Sequence, residues 1–138
     1  RMDVGNKLYF NFELPHDYKT DTYPYFHIHI CTSGTSTDQI NFTMDYCVAK
    51  LNSPDIINST NKKLWTGAKT PPGVAWSVFV LDFLQTQIGK EWPSNVTHSS
   101  VITAVITRDA GNSDDVYLYD FACHYVSDRL GTLTITGT

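Results

Sequence analysis

The residues most open to a chemical reading are Phe26-His27-Ile28-His29-Ile30. On an extended strand His27 and His29 project to the same side, roughly 7 Å apart, close enough to share a metal ion. Phe26, Ile28 and Ile30 take the opposite side. The hydrophobic core claims those three and leaves the imidazoles facing something else. That something is solvent, a metal ion, or a second copy of the chain. In a homotrimer, two imidazoles from each copy would gather near the threefold axis, where they could bind a transition metal or simply stack. Such an axial metal at His27 and His29 is the one cofactor the sequence leaves open.

A single-chain metal centre of cupin type also uses His-x-His on a strand. It requires a Glu shortly downstream and a later His after Pro-x-Gly. Residues 32–38 hold no Glu, and no His follows Pro72-Gly73 until His98. Other catalytic signatures are missing as well. There is no Gly-x-Ser-x-Gly, no His-Glu-x-x-His and no phosphate loop. Cys123 and His124 are neighbours on an expected strand and so point to opposite faces, which argues against a thiolate–imidazolium pair. Paired carboxylates for glycoside hydrolysis would meet only in space, and nothing in the sequence points to them.

The elements that must position these residues follow a period of two, not 3.6. Lys7–Leu14 sets Leu8, Phe10, Phe12 and Leu14 on one face. Gln39–Val48 sets Ile40, Phe42, Met44 and Tyr46 on one face, against Asn41, Thr43, Asp45 and Cys47. Strands are also expected at Tyr25–Cys31, Leu64–Thr66, Trp76–Leu84, Val101–Thr107, Val116–Val126 and Leu133–Thr136. Trp76–Leu84 is apolar on both faces, the pattern of a strand buried on both sides. Gln85–Gly89 has room for one helical turn at most. About eight strands with turn chemistry between them predict an all-β fold, a single antiparallel β-sandwich of jelly-roll type. Pairing Tyr25–Cys31 with Gln39–Cys47 as a hairpin would extend the His face through Asn41, Thr43 and Asp45.

Composition narrows the function classes. At 138 residues the chain fits one domain, and 41% hydrophobic residues supply a core that a disordered chain lacks. Only 17% of residues are charged and the net charge is −4, so no basic patch exists to hold nucleic acid. The longest apolar run, Val78–Leu84, contains Asp82 and is far short of the roughly 20 residues of a membrane span. The chain opens on Arg1 rather than Met, so it is expected to be a domain cut from a longer protein. Cys31, Cys47 and Cys123 form no Cys-x-x-Cys pair and are expected to act as semi-buried thiols. Sequons stand at Asn41, Asn58 and Asn95, and matter only if the protein meets a glycosylation machinery.

Aromatic residues supply candidate ligand platforms. Trp76 opens the most apolar strand and is expected in the core. Trp65 and Trp92 stand beside polar loops, next to Gly67 and Pro93 in turn or strand-end positions. Tyr18, Tyr23 and Tyr25 form a second cluster. Trp65, Trp92, Tyr23 and Tyr25 are therefore the candidates for stacking on a sugar ring.

Two segments taken together carry a resemblance. Phe12-Glu13-Leu14-Pro15-His16-Asp17-Tyr18-Lys19, then Tyr23-Pro24, then His27-Ile28-His29, resembles a pattern in virion structural proteins of tailed phages and large DNA viruses. Arg108-Asp109, Asp115, and Asp120 to His124-Tyr125, with Ser127-Asp128-Arg129-Leu130-Gly131-Thr132, resembles the closing segment of the same group. In that pattern His-x-His follows Tyr-Pro directly and ends in Trp. Here Tyr25-Phe26 intervene and Ile30 stands at the Trp position, a shift of two that keeps side-chain parity. The resemblance implies a trimeric β-sandwich module of jelly-roll type on the virion surface, in a fibre, spike or head decoration, with no enzymatic activity; a low-charge surface rich in Thr, Asn and Tyr suits contact with a host glycan or receptor. His16, His27, His29 and His124 become the interface candidates. Two other readings stay open: a carbohydrate-binding, lectin-like module of a secreted protein, and a small His-x-His metalloprotein.

Overall fold

The computed structural model describes residues 1–50, 53, 63–83 and 92–128. Among them are seven strands and no helix: β1 (Lys7–Glu13), β2 (Tyr25–Thr32), β3 (Ile40–Ala49), β4 (Lys63–Lys69), β5 (Phe79–Asp82), β6 (Val101–Arg108) and β7 (Val116–His124). Two antiparallel sheets, β1-β6-β3-β4 and β5-β2-β7, pack as a β-sandwich. The expected strand at 133–136 and helical turn at 85–89 lie outside the described residues.

Period-two alternation builds the interior. Phe26, Ile28 and Ile30 of β2 meet Ile40, Phe42, Met44 and Tyr46 of β3 across the core, all of them buried. Burying each such side chain contributes about 1.5–3 kcal/mol. The alternation also corrects the expected hairpin, because β2 pairs with β5 and β7, and β3 pairs with β4 and β6. Two strands with full apolar faces bury both by lying in opposite layers, and the 33–39 loop crosses between sheets. The His face therefore does not continue through Asn41, Thr43 and Asp45.

A second correction concerns the strand expected to be buried on both sides. β5 is a four-residue edge strand whose inward residue Leu81 is buried, while Trp76 and Val78 just before it are exposed. Trp76 has a positive φ of 62° and its N–H donates to the Thr32 carbonyl. It belongs to a turn leading into the strand.

Two backbone features shape the second sheet. Between His29 and Ile30 the register of β2 against β7 slips, from His29↔Asp120 to Ile30↔Leu118. This bulge lets Val116 and Leu118 on one side of it, and Phe121 and Cys123 on the other, all turn toward the core. Tyr119 and Asp120 both stay exposed. At the sandwich edge Gly67 of β4 lies so close to β5 that a Cβ would collide with the Leu81 side chain and sit 2.6 Å from the Asp82 carbonyl oxygen. Only glycine allows that approach.

Candidate functional site

The outward face of the β5-β2-β7 sheet carries the His-x-His pair. Tyr25, His27 and His29 project from β2. In register, His27 stands opposite Asp82 of β5 and Ala122 of β7, His29 opposite Asp120, and Tyr25 opposite His124. The small side chain of Ala122 leaves room beside His27, and the His124 ring lies there. The two imidazole planes are 21° apart with centroids at 4.9 Å. His29 meets His27 edge-on at 5.0 Å, and Tyr25 lies 5.7 Å from it on the other side. His27 points away from the core and is nevertheless only 6% exposed, covered by its aromatic neighbours. Its Nδ1 has no hydrogen-bond partner.

Burial pushes the His27 imidazole below its ordinary value. The neighbouring His124 and His29 push it the same way, and Asp82 and Asp120 oppose the shift in part. The uncharged form of His27 is thereby favoured. His29 Nδ1 stands 3.6 Å from an Asp120 carboxylate oxygen. The Tyr25 hydroxyl is hydrogen bonded to the Asp82 carboxylate, which raises the phenol to about 12. No Lys or Arg occurs in β2, β5 or β7. The face is thus imidazole, phenol and carboxylate, flanked by the exposed Trp76, Val78 and Tyr119.

The remaining candidates distribute differently. His16 is exposed in the turn after β1 and lies 5.8 Å from His98, apart from the other three interface candidates. Trp65 is a correction. Expected beside a polar loop, it is 0% exposed and packs against Phe26, Tyr46 and Trp92. Its β4 strand runs to Lys69, and period two turns Trp65 and Gly67 inward together. Trp92 is likewise 6% exposed, stacked on Tyr46 with planes 19° apart. An edge of it nonetheless lines a surface cleft with Asp21, Thr22, Tyr23, Pro93 and Ser94. Of the four aromatic candidates, Tyr23 and Tyr25 are exposed.

Cys31 and Cys47 are buried, Cys123 is half-buried, and no disulfide joins them. Burial pushes the Cys123 thiol to about 12, so it stays protonated while His124 on the opposite face remains exposed. Asn41 Nδ2 donates to the Ala110 carbonyl at 3.0 Å. Asn95 sits exposed in a turn with φ of 58°. Asn58 lies outside the described residues.

Among the described residues no group of three or more His, Cys, Asp or Glu side chains is arranged to hold a metal ion. His27 and His124 present ring faces to each other rather than nitrogens to a shared point. Among these residues, too, no helix is long and apolar enough to cross a membrane. Sequence reasoning passed over Asp82 and Asp120 as members of the His face. Asp82 was detectable as the one charge in an apolar run, at the parity of Val78 and Val80. Asp120 becomes His29's neighbour only through the bulge. Comparison with protein-family models, with curated proteins and with solved structures finds no match.

Proposed function

We propose that the chain is a structural module of a virion surface that assembles as a homotrimer through the imidazole face of the β5-β2-β7 sheet. The observation that carries this reading is His27. A buried imidazole on the outward face of a sheet, its Nδ1 without a hydrogen-bond partner and its border formed by exposed Tyr25, Trp76 and Tyr119, suits contact with another protein surface better than contact with water. A sister copy would bring the same rings, and C3 packing would set them around one axis. An axial transition metal remains compatible with several copies supplying donors.

The virion assignment rests on the sequence resemblance, and its two separated segments adjoin in the fold. Asp17 accepts hydrogen bonds from the Tyr125 hydroxyl at 3.0 Å and the Ser127 hydroxyl at 2.7 Å. Tyr18 bridges Ser127, and Lys19 N–H donates to the Val126 carbonyl. Tyr25 pairs with His124. Residues Asp17, Tyr18, Lys19 and Tyr25 of the first segment thus meet His124, Tyr125 and Ser127 of the second at the end of β7.

Light scattering at micromolar concentration is expected to report a trimer. The double variant His27→Ala/His29→Ala is expected to run as a folded monomer, with circular dichroism unchanged, because both rings face outward. A wild-type chain that is monomeric, or a double variant that stays trimeric, would end this reading.

Acid should act on the same contact. A depressed His27 value means that the folded face takes up a proton less readily than the unfolded chain does. The stabilisation is complete above about pH 6.5 and declines as pH falls through that value toward the depressed one. His27 is faced by Tyr25 and His29 on β2, Asp82 on β5, and Asp120 and His124 on β7. At His27, desolvation together with the neighbouring His124 and His29 rings outweighs the opposing carboxylates of Asp82 and Asp120. Sedimentation between about pH 7.5 and about pH 5 is expected to show dissociation toward monomer, across the range where imidazoles titrate. A sedimentation profile that does not change would contradict it.

A further inference from the structure

The cleft between the loop that follows β1 and the loop that precedes β6 is a second site, independent of the assembly face. Its volume is about 120 Å³ and it is lined by Asp21, Thr22, Tyr23, Trp92, Pro93 and Ser94. We propose that it binds one neutral sugar ring, the terminal residue of a glycan, with Tyr23 as the stacking platform and Asp21 as the acceptor for sugar hydroxyls.

The lining chemistry selects the ligand class. Tyr23 is 58% exposed, a large aromatic surface left open to solvent. A tyrosine ring gives a rigid amphipathic surface with few rotamers to freeze, suited to the C–H face of a pyranose. Beside it stand one carboxylate and the hydroxyls of Thr22 and Ser94, the groups that pair with vicinal sugar hydroxyls. Among the described lining residues Asp21 is the only charged one, and none is Lys, Arg or His, so these six offer a phosphate, sulfate or sialic acid carboxylate no counter-charge. The open form of the cleft fits a ring lying against the surface.

The cleft is also preformed. Its floor, Trp92, is held by Phe26, Tyr46 and Trp65. Its buried indole N–H faces the Tyr18 hydroxyl without a hydrogen bond of good geometry. The near wall is braced from within, because the Tyr18 hydroxyl donates to the Thr22 carbonyl and the Thr22 hydroxyl donates to the Lys19 carbonyl at 2.6 Å. Asp21 adopts φ of 62°, the left-handed turn conformation that Asp and Asn accept more readily than other side chains. A rigid cleft spares the ordering cost that weakens most shallow sites.

The test is a heteronuclear NMR titration of the intact chain with glucose, galactose, mannose and N-acetylglucosamine. Sialyllactose and choline serve as anionic and cationic comparisons. At least one neutral sugar is expected to shift the amides of Thr22, Tyr23 and Ser94 together with the Trp92 indole N–H. Tyr23→Ala is expected to weaken that binding about tenfold, the loss of one aromatic contact. Asp21→Asn keeps a residue that tolerates positive φ, so the loop stays formed while the carboxylate is removed, and binding should again fall. Tyr23→Phe should retain it, and Trp76→Ala, on the assembly face, should leave it unchanged in monomer and trimer alike. Flat titrations with all four neutral sugars would overturn the proposal. So would shifts that survive both Tyr23→Ala and Asp21→Asn, or a response confined to sialyllactose or choline.

Discussion

Replacing Trp65 by Ala is expected to destabilise the fold by about 3–5 kcal/mol, the range for emptying a buried aromatic site. Trp76→Ala is expected to cost less than about 1 kcal/mol, as for most exposed positions. The two tryptophans exchange the roles that local sequence suggests for them. Trp65 is enclosed by Phe26 at 5.5 Å, Tyr46 at 4.6 Å and Trp92 at 6.2 Å. These rings come from β2, β3 and the 92–95 loop, so Trp65 ties both sheets to the loop that floors the cleft. None of them collapses easily into the space that an alanine would leave, because each is itself fixed by the others. Trp76 touches Tyr117 at 5.3 Å and is otherwise open to water. Urea unfolding of the two variants, each made in the monomeric His27→Ala/His29→Ala background and compared with that background, measures the difference without the assembly contact. A Trp65→Ala midpoint close to that of the background, or a Trp76→Ala loss as large as that of Trp65→Ala, would contradict this account of the core.

The sandwich was legible because alternation is a local signal. Leu8, Phe10 and Phe12, or Ile40, Phe42, Met44 and Tyr46, declare one apolar face whatever they pair with. Pairing partners are not local. β6 inserts between β1 and β3, and β7 reaches β2 across most of the chain, so adjacency in sequence was a poor guide to adjacency in the sheet. Trp76–Leu84 misled for a related reason. Continuous hydrophobicity is shared by a strand buried on both sides and by an edge strand preceded by an exposed aromatic turn. Only the sheet order separates the two.

The imidazole face was legible in part. Parity alone placed His27 and His29 on the side opposite Phe26 and Ile28, and the same parity kept His124 opposite Cys123. Their meeting depended on the antiparallel register of β2 with β7 and on Ala122 leaving space. Neither can be read from a single strand. The burial of an outward histidine was not legible, since it arises from four rings on two strands covering one another. The cleft was half visible. Tyr23 and Trp92 stood out as aromatic, but Asp21 and Ser94 join them only in the fold, where the loop after β1 meets the loop before β6.

Arg108→Met is the other substitution expected to act strongly, by about 2–4 kcal/mol. Arg108 ends β6 on the inward side and is buried, where its guanidinium donates to three carbonyls: Met2 at 2.7 Å, Asn112 at 2.8 Å and Asp114 at 2.9 Å. Methionine fills similar space, so the transfer term changes little. What remains is the cost of leaving buried carbonyls unpaired, about 1–3 kcal/mol each, reduced where water reaches them at the chain start. The effect should spread along the turn. Asn112 donates to the Ser36 and Asp38 carbonyls, and its Oδ1 accepts the Asp114 N–H, while Asp114 accepts the Ser36 N–H. Loss of the Arg108 fork frees Met2, whose N–H donates to Val116 at the start of β7. Hydrogen exchange is therefore expected to quicken at the Met2 and Asn112 amides before it quickens in β3. Arg1 offers the contrast, since its ion pairs with Asp3 and Asp115 are exposed and its removal should leave stability unchanged. Equal melting of the two arginine variants, or protection of Met2 that survives Arg108→Met, would show that the fork does not hold the chain start to β7.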